Sequence, residues 1–173
     1  MAITSAQVDD FNTYARNPET WVLAARRSLA VAKVLMGRAD QLRLSADQNF
    51  FESSGCYYAG YFHAGVAVEN AAKAVLISRD PTIVSKGAVD IKKFGGRTGH
   101  ELFDLTQSAA IALSDAERRL VEKLEEFVWM GRYTVPRKAD VLYDDKKMSN
   151  ARLSSVDERD ILHSLVDRII SRI

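Results

Sequence analysis

Glu69 and Lys73 stand one helical turn apart, and Arg132 and Tyr133 stand side by side with Arg137 shortly after them. Two arginines can grip a phosphate through their forked N–H groups, and a tyrosine ring beside them can stack on a base. Lys73 adds a second cationic ligand if the fold sets it across a cleft from Arg132, with Glu69 holding the ammonium in place. Each group also has a plainer role. Glu69 and Lys73 have the spacing of an ordinary helix ion pair, worth roughly a few tenths of a kcal/mol. Arg132 can bond helix-end carbonyls, and Tyr133 can pack in the core.

The three histidines, His63, His100 and His163, stand at unrelated spacings. Neither H-x-x-x-H nor H-E-x-x-H occurs, so no metal site is expected. His100 falls in the first turn of a helix, where a neutral imidazole and a packing or capping role are favoured. His63 lies near Asn70 and is either a proton carrier or an exposed histidine. Lys86, Lys92, Lys93 and Arg97 share a stretch with Gly87, Gly95, Gly96 and Gly99. That stretch is not a P-loop, because no strand precedes it and no GK[ST] follows. No cofactor is implied.

Composition narrows the class. With 27% charged and 47% hydrophobic residues the chain has the profile of a globular protein. Its formal net charge of +1 supplies no global field to draw in nucleic acid or membrane. One cysteine, Cys56, excludes an internal disulfide. The segment MAITSAQVDD has neither a basic nor an apolar leader region, and no apolar run reaches membrane-spanning length. The expectation is a cytoplasmic protein of one domain, residues 1–173, with its core over about 19–173 and an N-terminal extension over 1–18.

The elements that must position these groups are helical. Residues 56–79, CYYAGYFHAGVAVENAAKAVLISR, hold no proline and repeat Tyr57, Tyr61, Ala64, Val68, Ala72 and Val75 at helical spacing. Small residues, among them Gly60, Gly65 and Ala71, would let neighbours come close, which marks a central helix. Its remaining sector, with His63, Val66, Glu69, Asn70 and Lys73, is either a water-facing edge or a cleft wall. Before it, residues 5–16 suggest a short helix. Asn17-Pro18 caps a long one from 19 to about 44, with Trp21, Ala25, Ser28, Ala32, Leu35, Ala39 and Leu42 as its buried stripe. Residues 45–55 read as a connection, with Phe50 and Phe51 packing on the core. Residues 82–99 read as a long mobile loop with room for a short turn of helix. Thr98/Glu101, Ser114/Glu117 and Ser155/Glu158 have capping-box spacing and open helices over about 99–112, 115–130 and from 155 onward, with Gly131 as a stop. No convincing strand alternation is present, so the fold expected is an all-α bundle of four or five antiparallel helices.

The order of these signals resembles the HEPN superfamily. WVLAARRSLAVAKVL leads into YYAGYFHAGVAVENAAKAVL, then GHELFDL, then FVWMGRYTVPR, then a closing amphipathic helix, over about residues 19–173. The resemblance implies a HEPN-like bundle, a homodimer, and a nucleotide, RNA or nucleotidyltransferase-type partner protein. Many family members are metal-independent RNases that place four to six residues between an Arg and a following His. This chain departs from that pattern. Tyr58, Tyr57 and Cys56 precede His63 at the required distances, Gly95, Phe94 and Lys93 precede His100, and Glu158, Asp157 and Val156 precede His163. The resemblance therefore implies a non-catalytic binding module with Arg132, Tyr133, Lys73, Glu69 and Arg137 as its ligand-binding residues and no catalytic set. Two alternatives stand beside it. One is a divergent endoribonuclease of a toxin–antitoxin or phage-defence system, with His63 or His100 brought to Arg132 by the fold. The other is a structural interaction module that docks a partner at Trp129-Met130.

Overall fold

The computed structural model describes residues 3–44, 50–132 and 156–173, without the side chains of 130–132 and 156–157. The fold is an all-α bundle. Its helices are α1 (Ser5–Arg16), α2 (Pro18–Leu44), α3 (Phe50–Arg79), α4 (Leu102–Ser108), α5 (Asp115–Arg132) and α6 (Val156–Ile170). No helix among the described residues is long and apolar enough to cross a membrane.

α3 is central, and most of its C-terminal half is buried. Every residue from Ala71 to Ile77 is buried, as are Tyr61, Ala64, Gly65, Ala67 and Val68. Its glycines set the approach of the neighbours. A Cβ on Gly60 would lie 2.9 Å from the Met36 side chain of α2, and one on Gly65 would collide with Val128 of α5. α2 and α3 run antiparallel: Ser53 Oγ donates to the Ala39 carbonyl near one end, and Lys73 reaches the Trp21 ring near the other. α5 and α6 are also antiparallel, held by Lys123 to Glu158 and by Arg168 to Glu117.

Local signals mostly hold. Asn17 Oδ1 accepts from the Glu19 amide at the start of α2. Ser114 and Glu117 form the reciprocal box at the start of α5. Of the apolar stripes expected for α4 (Leu102, Leu105, Ala109, Leu113), α5 (Leu120, Leu124, Phe127, Val128) and α6 (Leu162, Leu165, Ile169, Ile173), all are buried except Leu113, which is partly buried, and Ile173, which is exposed at the end of the chain described.

Several expectations need correction. The buried face of α2 is turned: Val22, Leu29 and Met36 are buried, while Trp21, Ser28 and Leu35 are only partly so. α3 begins at Phe50, and Phe50 and Phe51 are 74% and 85% exposed rather than in the core. They sit on the first turn of α3 and pack edge to face on each other. α4 starts at Leu102, because Glu101 is itself the cap residue, and Gly131 falls inside α5. Residues 80–99 are not a featureless loop. A 3-10 turn (Pro81–Ile83), a two-residue hairpin of β1 (Val84–Ser85) and β2 (Ala88–Val89), and a second 3-10 turn (Ile91–Phe94) follow one another. Ile83, Val84 and Phe94 are buried and anchor them. Lys86 and Gly87 both take positive φ, which suits a tight hairpin turn. The Ser155/Glu158 box falls partly outside the described residues.

α4 ends in a Schellman motif: the Ile111 amide donates to Thr106 O and the Ala110 amide to Gln107 O. The left-handed position is Ala110, at φ 52°, where glycine is normally favoured. Ala110→Gly is expected to stabilise the protein by roughly 0.5 kcal/mol or more, after the added chain entropy of glycine. An unchanged or lower denaturation midpoint would contradict this.

Candidate functional site

The polar sector of α3 is split: His63, Val66 and Asn70 are partly exposed, whereas Glu69 and Lys73 face neither water nor an open cleft. Glu69 and Lys73 are 5% and 6% exposed. Lys73 Nζ donates to Glu69 Oε1 at 2.7 Å, and its ammonium lies 5.1 Å from the Phe94 ring centroid and 6.0 Å from that of Trp21. The ion pair is therefore a buried one, with aromatic faces replacing water around the cation. A buried carboxylate without such a partner would be strongly disfavoured.

His100 completes the array. Its Nδ1 lies 2.8 Å from the same Glu69 oxygen. A carboxylate only accepts, so Nδ1 carries the donated proton, and in the neutral ring Nε2 is left as the acceptor. Nε2 has no hydrogen-bond partner among the described residues, and the His100 side chain is 34% exposed. Of the three side chains, His100 is the one that reaches solvent. Its backbone amide donates to Glu101 Oε2, and the Thr98 amide donates to both Glu101 oxygens. Burial opposes ionisation of Glu101, yet these amides outweigh it and hold the carboxyl below its ordinary value.

Glycines bring His100 here. Gly95, Gly96 and Gly99 all have positive φ, so the chain doubles back after Phe94. A Cβ on Gly99 would stand 3.3 Å from the Ile91 carbonyl. Phe94 and His100 thus meet the same turn of α3 from one short segment.

A further carboxylate, Glu125, lies near Glu101 and Asp104. Glu125 accepts from the Phe103 amide at the start of α4. Burial pushes its pKa up, and Asp104 and Glu101 add to the rise. These three carboxylates make the α4 side of the site unfavourable to phosphate.

A separate polar cluster lies between α3, α5 and α6. Tyr61 donates to Glu158 at 2.7 Å, and Lys123 donates to the same carboxylate at 2.9 Å while standing 4.5 Å from the Tyr61 ring centroid. Arg159 pairs with Asp40 next to it. Burial, with the Glu158 charge, pushes the neighbouring Tyr57 up to about 12.

Of the expected ligand residues, Glu69 and Lys73 are brought together, but with the ammonium turned inward. Arg132 is the last residue of α5; its side chain, Tyr133 and Arg137 lie outside the described residues. Trp129 is partly buried. His63 is partly buried, and its Nδ1 is sealed from solvent with no hydrogen-bond partner among the described residues. No group of metal-ligating side chains is found among the described residues. Sequence reading missed His100 as the partner of Glu69, and Trp21 and Phe94 as the walls around Lys73. One signal was present: a lone lysine amid the apolar run Ala71–Ile77 must be paired.

Comparison with family models, with curated proteins and with solved structures finds no match for this chain.

Two outcomes follow. Lys73→Met should cost about 3 kcal/mol or more by leaving a buried carboxylate, and Lys73→Met with Glu69→Leu should recover most of it. Simple addition of the two single effects in denaturant unfolding would contradict the pairing. The raised Glu125 value means that ionising it costs stability, a penalty absent below its ordinary pKa and complete above the raised one. Glu125→Gln should therefore gain thermal stability relative to wild type as pH rises from below to above the ordinary carboxylate range. A pH-independent difference would contradict the assigned burial.

Proposed function

We propose that this chain is a HEPN-like, non-catalytic module that binds a phosphate-bearing ligand, a nucleotide or RNA, with His100 as a ligand-contacting group and Arg132, Tyr133 and Arg137 as the phosphate-and-base grip. The observation that carries the reading is the Lys73–Glu69–His100 array. A buried ion pair is a poor source of net stability, whereas here it fixes one imidazole at the surface. Lys73 serves this site from within, by neutralising Glu69, rather than by touching phosphate. Because Glu101, Asp104 and Glu125 repel anions on the α4 side, the phosphate grip falls to the arginines. On the same reading the protein is a cytoplasmic homodimer.

A second reading is favoured by one feature. A carboxylate behind Nδ1 with a free Nε2 is the arrangement of a histidine that accepts a proton. An endoribonuclease would use that Nε2 on a ribose hydroxyl, with Arg132 stabilising the phosphate charge.

Thermal unfolding of wild type, Arg132→Ala and His100→Ala with ATP, GTP and a short RNA separates these readings. The proposal expects a ligand-dependent rise in midpoint in wild type that falls in both variants, each folded without ligand. Metal-independent cleavage of the RNA, lost in His100→Ala, would instead favour the nuclease. No shift with any ligand would overturn the proposal and leave a nucleotidyltransferase-type or other protein partner as the better reading.

A further inference from the structure

The N-terminal helix touches the bundle lightly, yet its contacts all converge on one place. Of α1 only Ala15 is buried. Arg16 Nε donates to the Val84 carbonyl at 2.9 Å, and the Gly87 amide donates to Asn12 Oδ1 at 3.0 Å. A Cβ on Gly87 would stand 3.4 Å from the Val8 methyls, so the hairpin turn lies directly against α1. On its other side, the Ala15 carbonyl accepts from Trp21 Nε1 at 2.8 Å. Trp21 meets Phe94 edge to face, with centroids 6.0 Å apart. These two rings enclose the Lys73 ammonium.

We infer that α1 is the positioning element of the Lys73–Glu69–His100 site: it holds the β1–β2 hairpin and the Trp21 ring, and through them sets Phe94 and His100 against α3. β1 and β2 are two residues each, too short to be stable alone. Arg16 and Asn12 tie one backbone group on β1 and another at the turn to a helix outside the hairpin. Phe94 and His100 lie on the single segment that continues from the hairpin, and both close on the turn of α3 that holds Glu69 and Lys73. Release of α1 frees Val84 O and Gly87 N–H to water and loosens the Trp21 indole. The Phe94 wall around Lys73 then loses its backing, and the Glu69–His100 hydrogen bond is no longer held. Arg16, Asn12 and Trp21 are thus positioning residues that act through Phe94 and His100 without touching ligand. The inference rests on the proposed role of His100 for its functional meaning, but its geometry is independent of any ligand.

The test uses the full chain, with Asn12→Ala/Arg16→Ala and, as a milder form, Asn12→Ala alone. Two readouts are taken by NMR: the His100 ring ¹⁵N pattern, which reports whether Nδ1 holds its proton toward Glu69, and amide exchange. In wild type the expectation is a single Nδ1-protonated ring and a protected Asp90 amide, which bonds the Ile83 carbonyl across the hairpin. In the double variant that amide should exchange at least about tenfold faster while α5 and α6 amides keep their protection, and the His100 pattern should average between tautomers. An unchanged His100 pattern, with or without faster hairpin exchange, would overturn the inference. If the double variant loses α5 and α6 protection as well, Asn12→Ala alone decides by the same criteria. Wild-type binding of ATP or RNA is scored separately, so failure to bind would remove the proposed function without touching this result.

Discussion

The Glu69 carboxylate is the constraint around which the structure is arranged. It lies inside the bundle, one turn from a lysine that is equally buried. A charge there must be answered, and three elements answer it. Lys73 supplies the counter-charge from α3 itself. Trp21 from α2 and Phe94 from the segment after the hairpin supply faces that stand in for water around the ammonium. His100 bonds the same carboxylate oxygen and carries the array to the surface. Without these partners α3 would be an apolar helix interrupted by an uncompensated charge.

The bundle's other polar cluster does different work. Tyr61, Lys123 and Glu158 tie the first turn of α6 to α3 and α5, and Arg159 adds α2 through Asp40. Lys123 is buried, so this cluster too depends on its pairing. It contains no histidine, and its aromatic neighbours Tyr57 and Phe127 pack it closely. The opposite end of α3 is closed by arginines: Arg79 and Arg172 donate to the Ala109 and Ala110 carbonyls, and Arg168 donates to Ala112. They satisfy carbonyls at and just beyond the end of α4 and complement its dipole.

Much of the framework was legible in the sequence because it is local. Asn17-Pro18 and Ser114/Glu117 act through neighbours within one turn, and the periodic apolar stripes of α3, α5 and α6 need no knowledge of their partners. What was not legible depends on distant residues. The hairpin has two residues per strand, too few for alternation to show, and its order comes from Arg16 and Asn12 far back in the chain. The α2 stripe was read with the correct period but the wrong centre, since its orientation is set by close approach at Gly60. Phe50 and Phe51 were assigned to the core by hydrophobicity alone, which does not tell which way the first turn of α3 faces. In the candidate site, the Glu69–Lys73 spacing was visible, but its burial was not. That follows from Phe94 folding back through Gly95 and Gly96, and the His100 contact follows from the same turn.

Under the proposed function, the buried pair holds one imidazole ready for an anionic ligand. The most direct measurement is an NMR titration of wild-type protein with ATP and with a short RNA, following the His100 ring resonances. The account predicts a saturable shift of the His100 Nε2 signal, with His163 unmoved. Saturable binding with the His100 signals unchanged would contradict it.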